Sequence, residues 1–129
     1  MIRLDHLIVP SHEPVAAAKL LAGLLDVPWD PAGDPFKAVY INDTLTVDFA
    51  LREQFERHHY CFHVEDKDFD AIFDRLQAQG IVYRSRPRGE NDMTINTRLG
   101  GKNLYWEDGD HHLWEILTIS YARPVASVR

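Results

Sequence analysis

The amino-acid sequence predicts an α+β fold made of two similar halves, and three observations carry that prediction. Each half opens on a short apolar strand pattern that includes histidine: Leu4-Asp5-His6-Leu7-Ile8-Val9 in the first, His59-Tyr60-Cys61-Phe62-His63-Val64 in the second. Each opening runs into a stretch whose apolar residues recur at spacings of three and four, the period of a helix with one buried face. Each half then closes on a strand that sets one acid among apolar residues, Asp48 within 44–49 and Glu115 within 112–119. The order of strand, helix and closing hairpin matches although few residues are identical, which predicts a duplicated unit.

Residues 2–9 form the first strand, which Pro10 is expected to end because it has no N–H to give. Ser11 is the candidate N-cap of a helix with Glu13 in its first turn and an apolar stripe of Ala16, Ala17, Leu20, Leu21 and Leu24. Residues 26–35 are rich in Pro, Gly and Asp and read as a loop. Strands over 36–41 and 44–49 follow, around a tight turn at Asn42-Asp43. A polar connector at 52–57 separates a first module, residues 1–51, from a second, residues 58–120, within a single domain of residues 1–129. In the second module Asp66 is the candidate cap of a helix with Phe69, Ile72, Phe73 and Leu76 on one face, stopped at Gly80. A short strand over 81–83, a charged loop over 85–92 and a strand near Ile95 and Leu99 that turns at Gly100-Gly101 come next. Strands over 102–106 and 112–119 close the module, and the tail after Tyr121 is expected to fray or to lie over the surface.

Composition narrows the classes. With 129 residues, 45% hydrophobic and 26% charged, the chain fits one globular domain. The net charge of -6 and the scatter of Lys and Arg argue against nucleic acid or an anionic membrane as partner. The one basic cluster, Arg84, Arg86 and Arg88, marks either a solvated loop or a loop that meets an anionic substrate. Cys61 is the only cysteine, which excludes an intramolecular disulfide and argues against a cysteine-based metal cluster. Its place between Tyr60 and Phe62 reads as a small buried strand residue in a reducing compartment. There is no basic-then-apolar leader and no apolar stretch of membrane length, so a cytoplasmic location is expected. A glycine-rich dinucleotide fingerprint, a Walker phosphate loop and a GxSxG elbow are all absent from the sequence.

Strand alternation decides which side chains share a face. It puts His6 with Leu4 and Ile8, His59 with Cys61 and His63, and Glu115 with Leu113 and Leu117. A carboxylate amid Trp114, Ile116 and leucines is costly to bury unless it is paired or coordinated. His6, His59 and Glu115 make an imidazole, imidazole and carboxylate set. Such a set suits divalent iron, manganese, nickel, cobalt or zinc, with positions left for water or a bidentate substrate. Asp48 occupies the matching exit position as a fourth ligand, a hydrogen-bond acceptor behind a ligating histidine, or a general base. Its side chain is one methylene shorter than glutamate, which counts against direct coordination. His63 is a candidate for lining the cavity or shuttling protons, while His58 should face away and His111-His112 read as structural. The candidate metal ligands are therefore His6, His59 and Glu115, and the candidate catalytic residues Asp48, Glu115 and His63. Each histidine taken alone also has an ordinary reading as a hydrogen-bonded structural or surface residue.

With these residues assembled, the chain resembles the vicinal oxygen chelate superfamily, the group of glyoxalases, bleomycin-resistance proteins and extradiol dioxygenases, over nearly its whole length. Residues 4–9 resemble the family's opening strand, and 59–64 followed by Asp66-Lys67-Asp68-Phe69 resemble the start of its second module. Tyr105-Trp106-Glu107-Asp108-Gly109-Asp110-His111-His112-Leu113-Trp114-Glu115 resembles its closing hairpin and is the most specific stretch, although Gly109 and His111 stand where members usually have proline and glycine. The resemblance implies paired βαβββ modules forming a cupped mixed sheet, a homodimer around it, and a divalent metal held by His6, His59 and Glu115 with Asp48 at the fourth family position. It implies a metal-dependent lyase, isomerase or dioxygenase in which substrate oxygens approach a Lewis-acidic metal. The expected partner is a small oxygen-rich molecule, and aspartate at position 48 counts against glyoxalase I activity itself. The superfamily also contains drug-binding members that use no metal. The alternative is thus a metal-free protein that binds an antibiotic or aromatic small molecule, and a purely structural module comes third.

Overall fold

A computed structural model describes residues 1–124, so the expectation for the extreme tail lies, at 125–129, outside the described residues. Two compact units divide the chain, Met1–Arg57 and His58–Arg129. Among the described residues each holds one helix and a three-stranded mixed sheet, the small α+β arrangement that the two openings and two acid-bearing strands predict.

The first unit runs β1 (His6–Ser11), α1 (Pro14–Leu25), β2 (Phe36–Tyr40) and β3 (Thr46–Leu51), with sheet order β1-β3-β2. The crossover through α1 lets β1 lie parallel to β3, while β2 and β3 pair antiparallel as a hairpin. Val9, Val39, Val47 and Phe49 are buried together with Ala18, Leu21, Ala22 and Leu24 of α1. Pro10 lies inside β1 instead of ending it. β1 is an edge strand, where a missing N–H need not cost a ladder bond. Ser11 is the last strand residue and not the helix cap. Its Oγ accepts the Glu13 N–H at 3.0 Å, and Pro14 starts the helix at a position whose N–H would have no helical partner. The buried stripe also sits further round than expected, on Ala18 and Ala22 in place of Ala16 and Ala17. The apolar run Val15-Ala16-Ala17-Ala18 leaves a sequence pattern nothing to choose the face by. Asn42 Oδ1 accepts the N–H groups of Thr44 and Leu45, each at 2.9 Å, which delays β3 to Thr46.

The second unit runs β4 (His59–His63), α2 (Asp66–Ala78), β5 (Asn103–Glu107) and β6 (Leu113–Leu117), in sheet order β4-β6-β5. β6 is central, parallel to β4 and antiparallel to β5. Leu104, Trp106, Trp114 and Ile116 are buried along with Phe69, Ile72 and Leu76 of α2, each side chain contributing about 1.5–3 kcal/mol of burial. Asp66 and Asp68 sit in the first turn of α2, where the helix dipole favours negative charge. Gly80, at φ 67°, supplies the left-handed residue just beyond the helix end.

One strand of each βαβββ module shortens to a single bridge. Trp29 pairs with Val39 in the first unit and Arg84 with Tyr105 in the second, so the strand expected over 81–83 does not form. Pro28 and Pro31 flank Trp29 and withhold donors from a longer ladder. At Arg84 the side chain turns the chain away. It donates to the carbonyls of Arg86 and Pro87, to Asn91 Oδ1 at 3.1 Å and to Glu107 Oε2 at 2.9 Å. Arg84 is therefore buried and engaged in fastening its own loop, while Arg86 and Arg88 are exposed.

The turn between β5 and β6 hangs on Asp108. Its Oδ1 accepts the N–H groups of Asp110 (2.9 Å) and His112 (3.0 Å), and its Oδ2 accepts the Trp114 indole N–H (2.9 Å). These bonds hold His111 at φ 64°, the left-handed backbone that glycine adopts freely, at the position where the resemblance expects glycine.

Candidate metal centre

The sheet face of the second unit that carries Glu115 is set by register. Cys61 on β4 and Tyr105 on β5 lie directly across from Glu115 on β6, and His59 is two residues before Cys61. The Glu115 carboxylate is fully buried. His59 Nε2 lies 2.9 Å from its Oε1, and Asn103 Nδ2 donates to its Oε2 at 3.1 Å. The Tyr121 hydroxyl reaches both oxygens, at 2.6 Å to Oε1 and 2.8 Å to Oε2, and lies 3.4 Å from the Tyr105 hydroxyl. Desolvation and then the Glu115 carboxylate push the Tyr121 phenol well above its ordinary range, and burial raises Tyr105 in the same direction. Cys61 is exposed as a residue. Even so, the sheet atoms crowding its thiol, and after them the neighbouring carboxylate, push it up to about 12.

His63 sits at the end of β4, its Nε2 donating to the Thr118 carbonyl at 2.9 Å, beside a cleft of about 550 Å³ shared with Lys102 and Thr118. His112 is fully buried and its Nδ1 accepts the His58 N–H at 3.0 Å, the structural part the sequence suggested for it.

In the first unit His6 and Asp48 share the sheet face opposite α1, with His6 paired to Thr46 and Asp48 to Ile8. His6 Nδ1 is bonded to Asp5 Oδ2 at 2.8 Å, an orienting contact that leaves Nε2 as the nitrogen for a ligand. That bond, and more weakly the Asp5 and Asp48 charges, raise the imidazole above its usual range.

Of the three predicted metal donors the structure brings His59 and Glu115 together. Among the described residues, no three His, Cys, Asp or Glu side chains form a group that could hold a metal ion. The donor chemistry of the pair fits a divalent cation. Two ligand atoms each about 2.1 Å from one metal lie roughly 3.0–3.4 Å apart, and the 2.9 Å between His59 Nε2 and Glu115 Oε1 is close to that spacing. The carboxylate also accepts from Asn103 and Tyr121, as ligating carboxylates generally have supporting donors. Two of these supports, Asn103 and Tyr121, were not singled out from the sequence. Asn103 was legible, since alternation puts it on the face of Tyr105, whereas Tyr121 lies beyond the last strand where no period points to it.

Among solved structures the chain is similar to Oxidase ChaP-H2, with 35% identity over 94% of this chain and 96% of that one and a TM-score of 0.86. It is similar to Oxidase ChaP-H1 as well, with 34% identity over 95% and 100% of the two chains and a TM-score of 0.86. The fosfomycin resistance protein FosX from Mesorhizobium loti shares the fold, at 24% identity over 94% and 93% and a TM-score of 0.63. No protein-family model and no curated protein matches the sequence. The chain belongs to the vicinal oxygen chelate superfamily.

Proposed function

We propose that the protein is a metal-dependent enzyme of this superfamily that uses a divalent metal, iron first among the candidates, to bind a small oxygen-rich substrate and oxidise it with dioxygen. The observation that carries the reading is the fully buried Glu115 carboxylate with His59 Nε2 at 2.9 Å. His6 is the third donor, its ring oriented by Asp5. Two histidines and one carboxylate are the donor set of non-haem iron oxygenases. The two relatives at 34–35% identity are named as oxidases, which supports an oxidative reaction over a lyase or isomerase.

Bound iron would supply Lewis acidity toward substrate oxygens and redox chemistry with dioxygen. Asn103 and Tyr121 hold the carboxylate in place, so its orientation is set before substrate arrives. Asp48 is the candidate proton acceptor, and His63, bonded through Nε2, offers Nδ1 for proton exchange at the cleft. The reading takes the enzyme as a cytoplasmic homodimer. No helix among the described residues is long and apolar enough to cross a membrane.

The test is oxygen uptake by iron(II)-loaded protein against a panel of compounds bearing adjacent oxygen functions, with His59→Ala as control. Uptake lost in the variant is expected. Turnover that persists without oxygen would replace the oxidative reaction by lyase or isomerase chemistry. Saturable binding of aromatic compounds by protein that takes up no metal would put the metal-free binding reading in its place.

A further inference from the structure

The Tyr121 hydroxyl is 2.6 Å from Glu115 Oε1 and 2.8 Å from Oε2. Two nearly equal distances, both with hydrogen-bonding angles at the acceptor oxygens, put the hydroxyl on the open side of the carboxylate, near its bisector. That is the place a chelating cation takes, at about 2.0–2.2 Å from each oxygen. Hydroxyl and chelating metal would fall within roughly an ångström of each other, far inside contact distance, so they exclude one another. With Tyr121 seated, the side of the carboxylate facing His59 is Oε1, and Oε2 is held by Asn103.

We infer that Tyr121 is a positioning residue that makes Glu115 a single-oxygen metal ligand, offering Oε1 toward His59 and closing the chelating position. The inference rests on the metal reading above. Its consequence concerns coordination number. A carboxylate limited to one oxygen leaves one more position on the metal for water, substrate or dioxygen than a chelating carboxylate would. The Tyr105 hydroxyl lies 3.4 Å from that of Tyr121 and shares the same carboxylate neighbourhood.

Tyr121→Phe tests it, because the ring is retained and only the hydroxyl is removed from a residue that is 43% exposed. Cobalt(II) is the probe: metal-free wild type and variant, each shown folded by circular dichroism, are titrated and their visible spectra recorded. Both should take up one equivalent. The variant should show weaker visible bands, as the freed carboxylate adds its second oxygen, and a dissociation constant raised about 10–100-fold, the usual effect of losing a group that orients a ligand. An unchanged spectrum overturns the inference whatever the affinity does. A wild type that takes up no cobalt overturns the metal reading itself, which the wild-type isotherm alone reveals. The infrared carboxylate bands of the wild type on cobalt addition give a measurement that does not depend on the variant folding. The wide splitting of a single-oxygen ligand is expected there, and the narrow splitting of a chelating one overturns the assignment.

Discussion

Replacing Asp108 by alanine should cost about 3–4 kcal/mol of stability, and the figure follows from what the carboxylate holds. The change takes the acceptor from three donors: the N–H groups of Asp110 and His112 and the indole N–H of Trp114. A buried donor left without a partner costs about 1–3 kcal/mol. The lower part of that range is taken, because the emptied site borders Asp110, whose slight exposure lets water enter beside the buried His112 and Trp114. At roughly 4 °C per kcal/mol for a chain of this size, the melting temperature should fall by about 12–16 °C. Urea titration followed by tryptophan fluorescence gives the free energy. Asp108→Asn should cost less, since it keeps one acceptor for the two backbone donors and sets an NH₂ against Trp114. Burial raises the Asp108 carboxyl above its ordinary value, against smaller lowering effects from Trp114 and His112. The folded chain thus holds this proton more tightly than the unfolded one. The stability so gained is complete below the unfolded value, near 4, and is lost as pH rises through the folded value. The margin of wild type over Asp108→Asn should therefore shrink as pH climbs from about 4. A cost below 1 kcal/mol for the alanine variant, or a margin that widens with pH, would refute the reasoning.

Two further outcomes follow from the same hairpin and the sheet beside it. His111→Gly should raise the unfolding free energy by about 0.5–1 kcal/mol in a urea titration, because relief of the left-handed strain at φ 64° outweighs the added chain entropy; a loss of stability would show the position is not strained. The Cys61 thiol, at about 12, should react with iodoacetamide at pH 8 in metal-free protein roughly a thousandfold more slowly than in the denatured chain, as its thiolate fraction requires. Mass spectrometry follows the label, and alkylation at the denatured rate would remove the crowding and charge assigned to that thiol.

The alternation of side chains made most of the second unit's site readable. Period two placed His59, Cys61 and Glu115 on faces that the β4–β6 register brings together, and left Trp114 and Ile116 on the opposite face, where the structure buries them. What it could not give was anything outside a strand. Tyr121 reaches Glu115 from six residues further on, after the regular ladder has ended, so only the folded chain reveals it. Pro10 misled because a proline stops a central strand but not an edge strand, and edge position is a property of the sheet. Arg84 misled in the opposite sense: three arginines in a loop look like one basic patch, yet one of them turns inward to bind its own loop carbonyls and Glu107. In α1 the alanine run gave the helix but not its buried side.

The central claim is that Glu115 and His59 are metal ligands, and metal content tests it most directly. Untagged protein purified without chelator should carry, or take up on titration with iron(II), close to one equivalent of divalent metal. His59→Ala and Glu115→Gln should each lose it while keeping the circular dichroism of the wild type. Wild-type protein that binds no iron, manganese, cobalt, nickel or zinc, or variants that bind as tightly as the wild type, would contradict the account.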